Sequence, residues 1–405
     1  ILMDLNDELD DAKSWVNHEL SFDMDESVHT FETTIRMLGG LLSAYYLTED
    51  EIFSEKAVHL GNKLLLAFNT GNGLPGSEVN LKSGGLMFDK NGISTAEITT
   101  LQLEFKYLAT ITGEEMYWDA VDNIMKIIDR ANNAPISNKY DGLVPILMNP
   151  KDGMYNTDLI RLGSRGDSYY EYLLKQYLQT GEDLYLKMYN ESFNGIKKHL
   201  TGRSIPNNYL FFGELEKGLD GPLSSKMDHL VCFFGGLFSL GATNGLPLSE
   251  AKEMPWWDKF HQTQLEYGEE LAKTCYHMYH DIPSTGLSPE IVFFNLNEEP
   301  KKYAPPDANW STDGDFFVKK TDVHNLQRPE TVETLYYLYK ITGDLKYREW
   351  GWEIFQNFVT HTGIGGPNEL GGFKGQLRFT SLKDVFTTTK PGRFSDNMES
   401  FWLAE

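Results

Sequence analysis

Five helix-length runs in this chain open on an acid and close on a turn signal at nearly the same distance. They are Glu97 to Gly113, Asp167 to Gly181, Glu330 to Gly343, Glu32 to Thr48 and Asp228 to Gly241, spacings of 13 to 16 residues. At a rise of about 1.5 Å per residue each run is roughly 20 Å long. Each is followed by a second apolar-periodic run, so the unit is a helical hairpin. Repetition of one such unit restricts a chain to a few architectures. If the hairpins close into a ring, every inner helix starts at the same end and the acids converge on one mouth. A single acid at a helix start is ordinarily a cap that suits the helix dipole. Five in equivalent places, flanked by Arg36, Arg165, Arg328 and His229, point instead to a site.

The clearest copy is LGSRGDSYYEYLLKQYLQTGEDLYL, Leu162 to Leu186. Gly163 and Gly166 break regular structure, and Asp167 and Ser168 stand where a helix takes its N-cap. Tyr169, Tyr172, Leu173, Tyr177 and Leu178 follow at helical spacing. Glu171 comes four residues after Asp167, which puts both carboxylates on one side of the helix start.

The rest of the chain fits around this repeat. Helices are expected over 7–20, 50–68, 96–111, 114–131 and 261–280. Gly-rich loops are expected over 71–93 and 363–395, and a strand-like run from Leu143 to Met148. Residues 281–327 read as a long irregular connection, and 243–260 and 298–320 as surface insertions. The whole of 1–405 reads as one domain, with 40% hydrophobic residues to fill a core. A net charge of −23 excludes a phosphate-neutralising stripe, hence nucleic acid. No apolar run reaches 18 residues. The two cysteines, Cys232 and Cys275, lack metal-type spacing. Asn190-Glu-Ser and Asn309-Trp-Ser are glycosylation sequons.

Glu32, Glu97, Asp167, Glu171, Asp228, Glu290, Glu330, Glu333 and Glu399 would line the mouth. Clustered carboxylates raise one another's pKa, which leaves a general acid protonated, and they can hold a hard cation directly or through its waters. The aromatic residues among them suit sugar faces. The chemistry indicated is glycoside hydrolysis or carbohydrate binding. No P-loop, GxGxxG, GxSxG or HExxH motif competes.

FETTIRMLGGLLSAYYL, GDSYYEYLLKQYL, KMDHLVCFFGG, GLSPEIVFFN, RPETVETLYYLYKITGD and NMESFWLAE together closely resemble the class I α-1,2-mannosidases of glycoside hydrolase family 47, and among them the endoplasmic reticulum type. The resemblance runs from about residue 9 to 405. It implies an (α/α)7 barrel and calcium-dependent, inverting removal of α-1,2-linked mannose from high-mannose N-glycans. By motif, Glu32 matches the general acid, which acts through a water, and Glu330 the general base. Asp167 matches a third essential carboxylate, also considered for the acid role, and Glu290 a fourth. Arg36, Glu97, Glu171, His229, Arg328, Glu333 and Glu399 match positions that bind sugar hydroxyls or hold calcium-bound waters. An inverting pair is expected to stand about 6.5–9.5 Å apart. Arg165, two residues before Asp167, matches the position that separates endoplasmic reticulum from Golgi types. It implies removal of one mannose from the nine-mannose glycan. Cys232 and Cys275 fall in the segments that carry the family's disulfide.

The resemblance also implies what stands outside the sequence. The family's Thr-Glu-Ala-His-Pro motif, whose Thr ligates calcium, does not occur before Glu405, so no direct metal ligand is expected in this chain. A final helix, a β-hairpin plug and an N-terminal membrane-anchored segment are likewise expected beyond residues 1–405. The reading is a monomeric enzyme of the endoplasmic reticulum lumen, with the Golgi as second choice. Its partners are high-mannose glycans, and a membrane only through that anchor. The alternative is a weakly catalytic glycan-binding protein of endoplasmic-reticulum-associated degradation, which turnover of a free glycan would tell apart.

Overall fold

Gly113, Gly181 and Gly343 carry φ angles of 75°, 74° and 71°. All three Thr-Gly stops are therefore left-handed helix ends, a conformation that glycine adopts without a Cβ penalty. In this computed structural model, which describes residues 1–133, 140–297, 304–364, 378–388 and 393–396, the hairpin pattern read from the sequence is realised as helices with small strands between them. In chain order the helices are α1 (Asn6–His18), α2 (Thr30–Thr33), α3 (Gly39–Thr48), α4 (Glu51–Leu64), α5 (Thr95–Ile98), α6 (Gln102–Thr112), α7 (Glu115–Asn133), α8 (Asp167–Thr180), α9 (Asp183–Gly195), α10 (Phe234–Thr243), α11 (Leu248–Ala251), α12 (Lys259–His280), α13 (Glu330–Thr342) and α14 (Lys346–Thr362). Among the described residues no helix is long and apolar enough to cross a membrane.

The chain divides into two compact units. Unit 1 is Ile1–Ile160 with Ser168–Ser192, and unit 2 is Arg161–Asp167 with Phe193–Glu405. In unit 1, α3 packs on α4, and α6 on α7 and α4. Leu60, Leu64, Phe105, Leu108, Val121 and Ile124 are wholly buried there, each worth about 1.5–3 kcal/mol of burial. In unit 2, α10 packs on α12 and α13, and α13 on α14. The α10–α12 contact is a glycine-to-glycine approach. A Cβ on Gly235 would stand 2.6 Å from Thr334 Cγ2, and one on Gly268 would stand 2.6 Å from the Gly235 carbonyl oxygen. Thr334 completes the junction by accepting from Gly236 N–H at 2.8 Å and donating to the Cys232 carbonyl at 2.6 Å.

Unit 2 also carries a four-stranded antiparallel sheet, in the order Asn309–Trp310, Phe316–Val318, Ile291–Phe294, Lys226–Asp228. Trp310 pairs with Phe317, Phe317 with Phe293 and Phe293 with Lys226. The alternate residues Met227, Val292, Phe294, Phe316 and Val318 are buried. Two strands of this sheet lie in the region expected to be a surface insertion, and three in the stretch expected to be irregular. The strands are two to four residues long, too short to show a period in the sequence.

The helix expected over 96–111 is broken between α5 and α6. Thr99 and Thr100 donate their hydroxyls to the carbonyls of Thr95 and Ala96 at 2.7 and 2.6 Å. Leu101 N–H donates to the Gln102 side chain at 2.9 Å. These side chains compete with the backbone ladder and end the first turn. The expected strand-like run narrows to Leu147–Met148, paired with Ile93–Ser94. The helix expected to open at Asp228 is a strand ending at Asp228, a 3₁₀ turn His229–Phe233, and then α10.

Candidate active site

In unit 1, Glu32 sits in α2, a single helical turn. His29 caps that turn: its Nδ1 accepts from Glu32 N–H at 3.3 Å. Its other ring nitrogen, Nε2, lies 3.7 Å from Glu97 Oε2. Ser94 caps the turn that carries Glu97, accepting from Glu97 N–H at 3.3 Å. Arg36 lies in a π-helical segment, Thr34–Leu38, and its Nε donates to Glu32 Oε2 at 2.6 Å. Such π segments recur at functional sites. Glu171, on α8, accepts from Lys175 at 2.5 Å. His29 was not read from the sequence. Its signal was a histidine just before an acid that opens a helix.

In unit 2, the turn before Asp167 is built on Gly163. Gly166 N–H and Asp167 N–H both donate to the Gly163 carbonyl at 3.0 Å. A Cβ on Gly163 would fall 2.3 Å from Asp228 Oδ2, and Ser164 N–H donates to that same oxygen at 3.3 Å. Within this turn Arg165 has φ 71°, a left-handed backbone that costs a non-glycine residue and tends to be kept where function needs it. Lys226 Nζ reaches both Glu214 Oε1, at 2.8 Å, and Asp228 Oδ1, at 3.0 Å. The latter contact is an ion pair without hydrogen-bond alignment, so Asp228 Oδ1 is left without a hydrogen-bond partner. Burial pushes the Glu214 carboxyl up more than Lys226 lowers it. Burial also works against the Lys226 charge, yet the two acids outweigh it and raise the ammonium.

Two further pairs stand at the start of α13. Arg328 Nε donates to Glu290 Oε1 at 2.5 Å, with Glu290 only 13% exposed. His229 Nδ1 lies 3.3 Å from Glu330 Oε2, the side chains 3% and 17% exposed. Neither of these last two atoms has an aligned hydrogen bond. The backbone links the pairs, since His229 N–H donates to the Glu290 carbonyl at 2.9 Å. His229 Nε2 meets two hydroxyls, Tyr279 at 2.8 Å and Thr331 at 3.0 Å. Tyr279 and Thr331 were not read from the sequence either; each is an ordinary helix residue until the fold brings it to His229. Glu333 lies one turn beyond Glu330 on α13. Glu399 falls outside the described residues. Cys232 and Cys275 are joined, S–S 2.10 Å, tying the 3₁₀ turn that carries His229 to α12.

A single acid and one cluster remain to be placed. In unit 1, Glu104 Oε1 accepts from Tyr172 at 2.8 Å while Oε2 is buried without a partner. Burial pushes this carboxyl up to about 7, against the Tyr172 hydrogen bond. In unit 2, one ligand atom each of His277, Asp281 and Asp313 lies within 4.8 Å of the others, an arrangement that could hold a metal ion. His277 is already bonded to Asp281 at 3.0 Å, and Asp313 accepts from Ser311 and Asn207.

A family model described as glycosyl hydrolase family 47 matches residues 1–405. The mannosyl-oligosaccharide 1,2-alpha-mannosidase of Candida albicans is 50% identical over 100% of this chain and 69% of its own length. The endoplasmic reticulum mannosyl-oligosaccharide 1,2-alpha-mannosidase of Saccharomyces cerevisiae is 47% identical over 98% of this chain and 72% of its own. Among solved structures, the alpha-1,2-mannosidase from Trichoderma reesei has a TM-score of 0.82 at 25% identity, covering 100% of this chain and 80% of that one.

Proposed function

This chain belongs to glycosyl hydrolase family 47 and shares its (α/α)7 fold class, and from that premise we propose how its residues divide the work. The activity is that of a mannosyl-oligosaccharide 1,2-α-mannosidase, a glycoside hydrolase that trims α-1,2-linked mannose from N-glycans. The family model's span supports reading residues 1–405 as one catalytic domain.

The observation that carries the assignment of roles is the contrast between two half-buried carboxylates, Glu290 directly before the strand Ile291–Phe294 and Glu330 at the start of α13. Glu290 is engaged by a cation, Arg328, whereas Glu330 keeps an oxygen with no aligned hydrogen bond. An ionised carboxylate with a free lone pair is what a general base needs to take a proton from water. Glu330 is therefore the base of an inverting reaction. Glu32 is the acid, delivering its proton to the leaving oxygen through a water, with Arg36 orienting its carboxylate. Asp167 and Glu290 complete the set of essential acids. Arg328, by engaging Glu290, fixes the position of that carboxylate.

Calcium fits the residues present. It takes oxygen donors, directly or through its waters, and carboxylates in the first turns of helices, Glu97 on α5 and Glu333 on α13, are oxygens of that kind. Glu97, Glu171, Glu333 and Glu399 are assigned to sugar hydroxyls or to the waters of that ion. When bound, it supplies positive charge against sugar hydroxyls and water. The His277 cluster offers a nitrogen donor and suits a hard ion less well.

The endoplasmic reticulum is the compartment the relatives' names support. Attachment there through a segment outside residues 1–405 belongs to the proposal, with the Golgi as second choice. Arg165 supports the narrower specificity: one mannose removed from the nine-mannose glycan, then near arrest. Its five fixed N–H donors grip several hydroxyls, and a branch that cannot meet them leaves them unpaired. Digestion of the nine-mannose glycan by the full-length enzyme, with the eight-mannose product mapped by branch, tests both levels. No release of mannose would refute the activity. Rapid trimming to five mannoses, or an Arg165→Leu variant with an unchanged product pattern, would refute the specificity.

A further inference from the structure

The His229 ring has to choose a tautomer, and its surroundings choose for it. Nε2 faces two hydroxyls, Tyr279 at 2.8 Å and Thr331 at 3.0 Å. Nδ1 faces a carboxylate oxygen, Glu330 Oε2, at 3.3 Å. A neutral imidazole has one donor and one acceptor nitrogen. With the proton on Nε2, the Nδ1 lone pair would point at an ionised carboxylate, acceptor against acceptor. With the proton on Nδ1, it donates to Glu330 and Nε2 accepts from a hydroxyl.

Tyr279 is suited to supply that hydroxyl proton. Its side chain is 2% exposed, and burial with the nearby charges of Glu330 and Glu290 raises its phenol far above the ordinary value, so it stays protonated. Thr331 bonds the tyrosine oxygen as well. The sequence of donors is then Thr331 O–H to Tyr279, Tyr279 O–H to His229 Nε2, and His229 Nδ1–H to Glu330. Three separate elements contribute: the turn His229–Phe233, α12 and α13. The 3.3 Å contact is long and poorly aligned, as such contacts often are before substrate closes a site.

We propose that Tyr279, backed by Thr331, is a positioning residue that locks His229 as the Nδ1–H tautomer and thereby aims the Glu330 carboxylate at its water. This rests on Glu330 being the base. Tyr279 does not touch the reacting atoms; it acts through His229.

The test uses the whole enzyme and a variant that removes one oxygen, Tyr279→Phe. Proton–nitrogen correlation spectra of the His229 ring are expected to show Nδ1–H in the wild type and a shift toward Nε2–H in the variant. With the nine-mannose glycan, kcat is expected to fall about tenfold, the effect of one buried hydrogen bond, with KM within about twofold. Thr331→Val is expected to lower kcat less, and the double variant less than the product of the two singles, because Thr331 acts through Tyr279. A thermal melt accompanies each variant. A general loss of packing would lower the melting temperature and leave the His229 tautomer and the kcat-against-KM split as they were, which would overturn the proposal. Wild-type kcat in Tyr279→Phe, while Glu330→Gln is inactive, would overturn this inference alone. Normal turnover by Glu330→Gln would instead remove the base assignment on which it stands.

Discussion

Glu32 and Glu330 both sit in the first turn of a helix, yet they are held by opposite means. Glu32 bonds Arg36 four residues on, in the same helical stretch, with side chains 44% and 47% exposed. Glu330 faces a histidine from a distant part of the chain that is 3% exposed. An exposed i,i+4 pair is worth about 0.3–0.5 kcal/mol and rearranges at little cost. Removing the partner of a half-buried carboxylate costs more, about 1–3 kcal/mol, because a desolvated polar group is left unsatisfied. The difference matches what the two proposed roles ask. An acid that works through an intervening water tolerates motion of its carboxylate. A base that must place one lone pair on one water does not.

The sharpest way to break this comparison is Glu330→Gln. The amide keeps the size and cannot take a proton, so turnover should fall by about 10²–10⁴-fold while glycan binding persists. Near wild-type kcat would end the contrast. Next in size is the disulfide beside His229. Replacing Cys232 and Cys275 together by serine should cost about 4 kcal/mol on the chain-entropy model, read as a lower denaturant midpoint. An unchanged midpoint would mean the His229 turn is fixed without it.

Glu104 asks whether unit 1 can tolerate a buried acid with no cation paired to it. Its folded carboxyl is pushed up to about 7 by burial, above an unfolded value of about 4.3. The folded state therefore holds a proton that the unfolded state has lost. Stability should decline between roughly pH 4.3 and 7, by up to about 4 kcal/mol, and stay flat above that window. Glu104→Gln, which can still accept from Tyr172, should flatten the decline and be more stable than wild type at pH 8. A wild-type curve that does not fall with pH in this window would contradict it. The smallest effect belongs to Arg36→Ala, expected to lower stability by at most about 0.5 kcal/mol. A loss of several kcal/mol by chemical denaturation would show that the Glu32 pair is not the weak, local one described.

The contrast also marks what the sequence could disclose. Local devices were legible: the acids at helix starts, Gly113, Gly181 and Gly343 as stops, and Glu171 one turn after Asp167. Long helices such as α7 and α12 declare a period. Strands of two to four residues do not, so the sheet carrying Lys226–Asp228 and Ile291–Phe294 was missed. Contacts between distant segments leave no local trace, which is why Tyr279 and Thr331 escaped a reading that found His229; His29 differs, since its cap on Glu32 is three residues away. The break at Thr99–Thr100 was legible only in hindsight, since threonine hydroxyls return to the backbone in many unbroken helices.

The approach of Gly235 to Gly268 has a genetic meaning. Every missense change of a glycine codon adds at least a Cβ, and at these two positions that atom has backbone or Thr334 within 2.6 Å. No residue type other than glycine is small enough to substitute. Inherited or selected missense alleles that abolish the enzyme should therefore recur in α10 and α12 as readily as at the carboxylates. They would be recognised by missing protein, whereas alleles at Glu330 would leave normal amounts of an inert one.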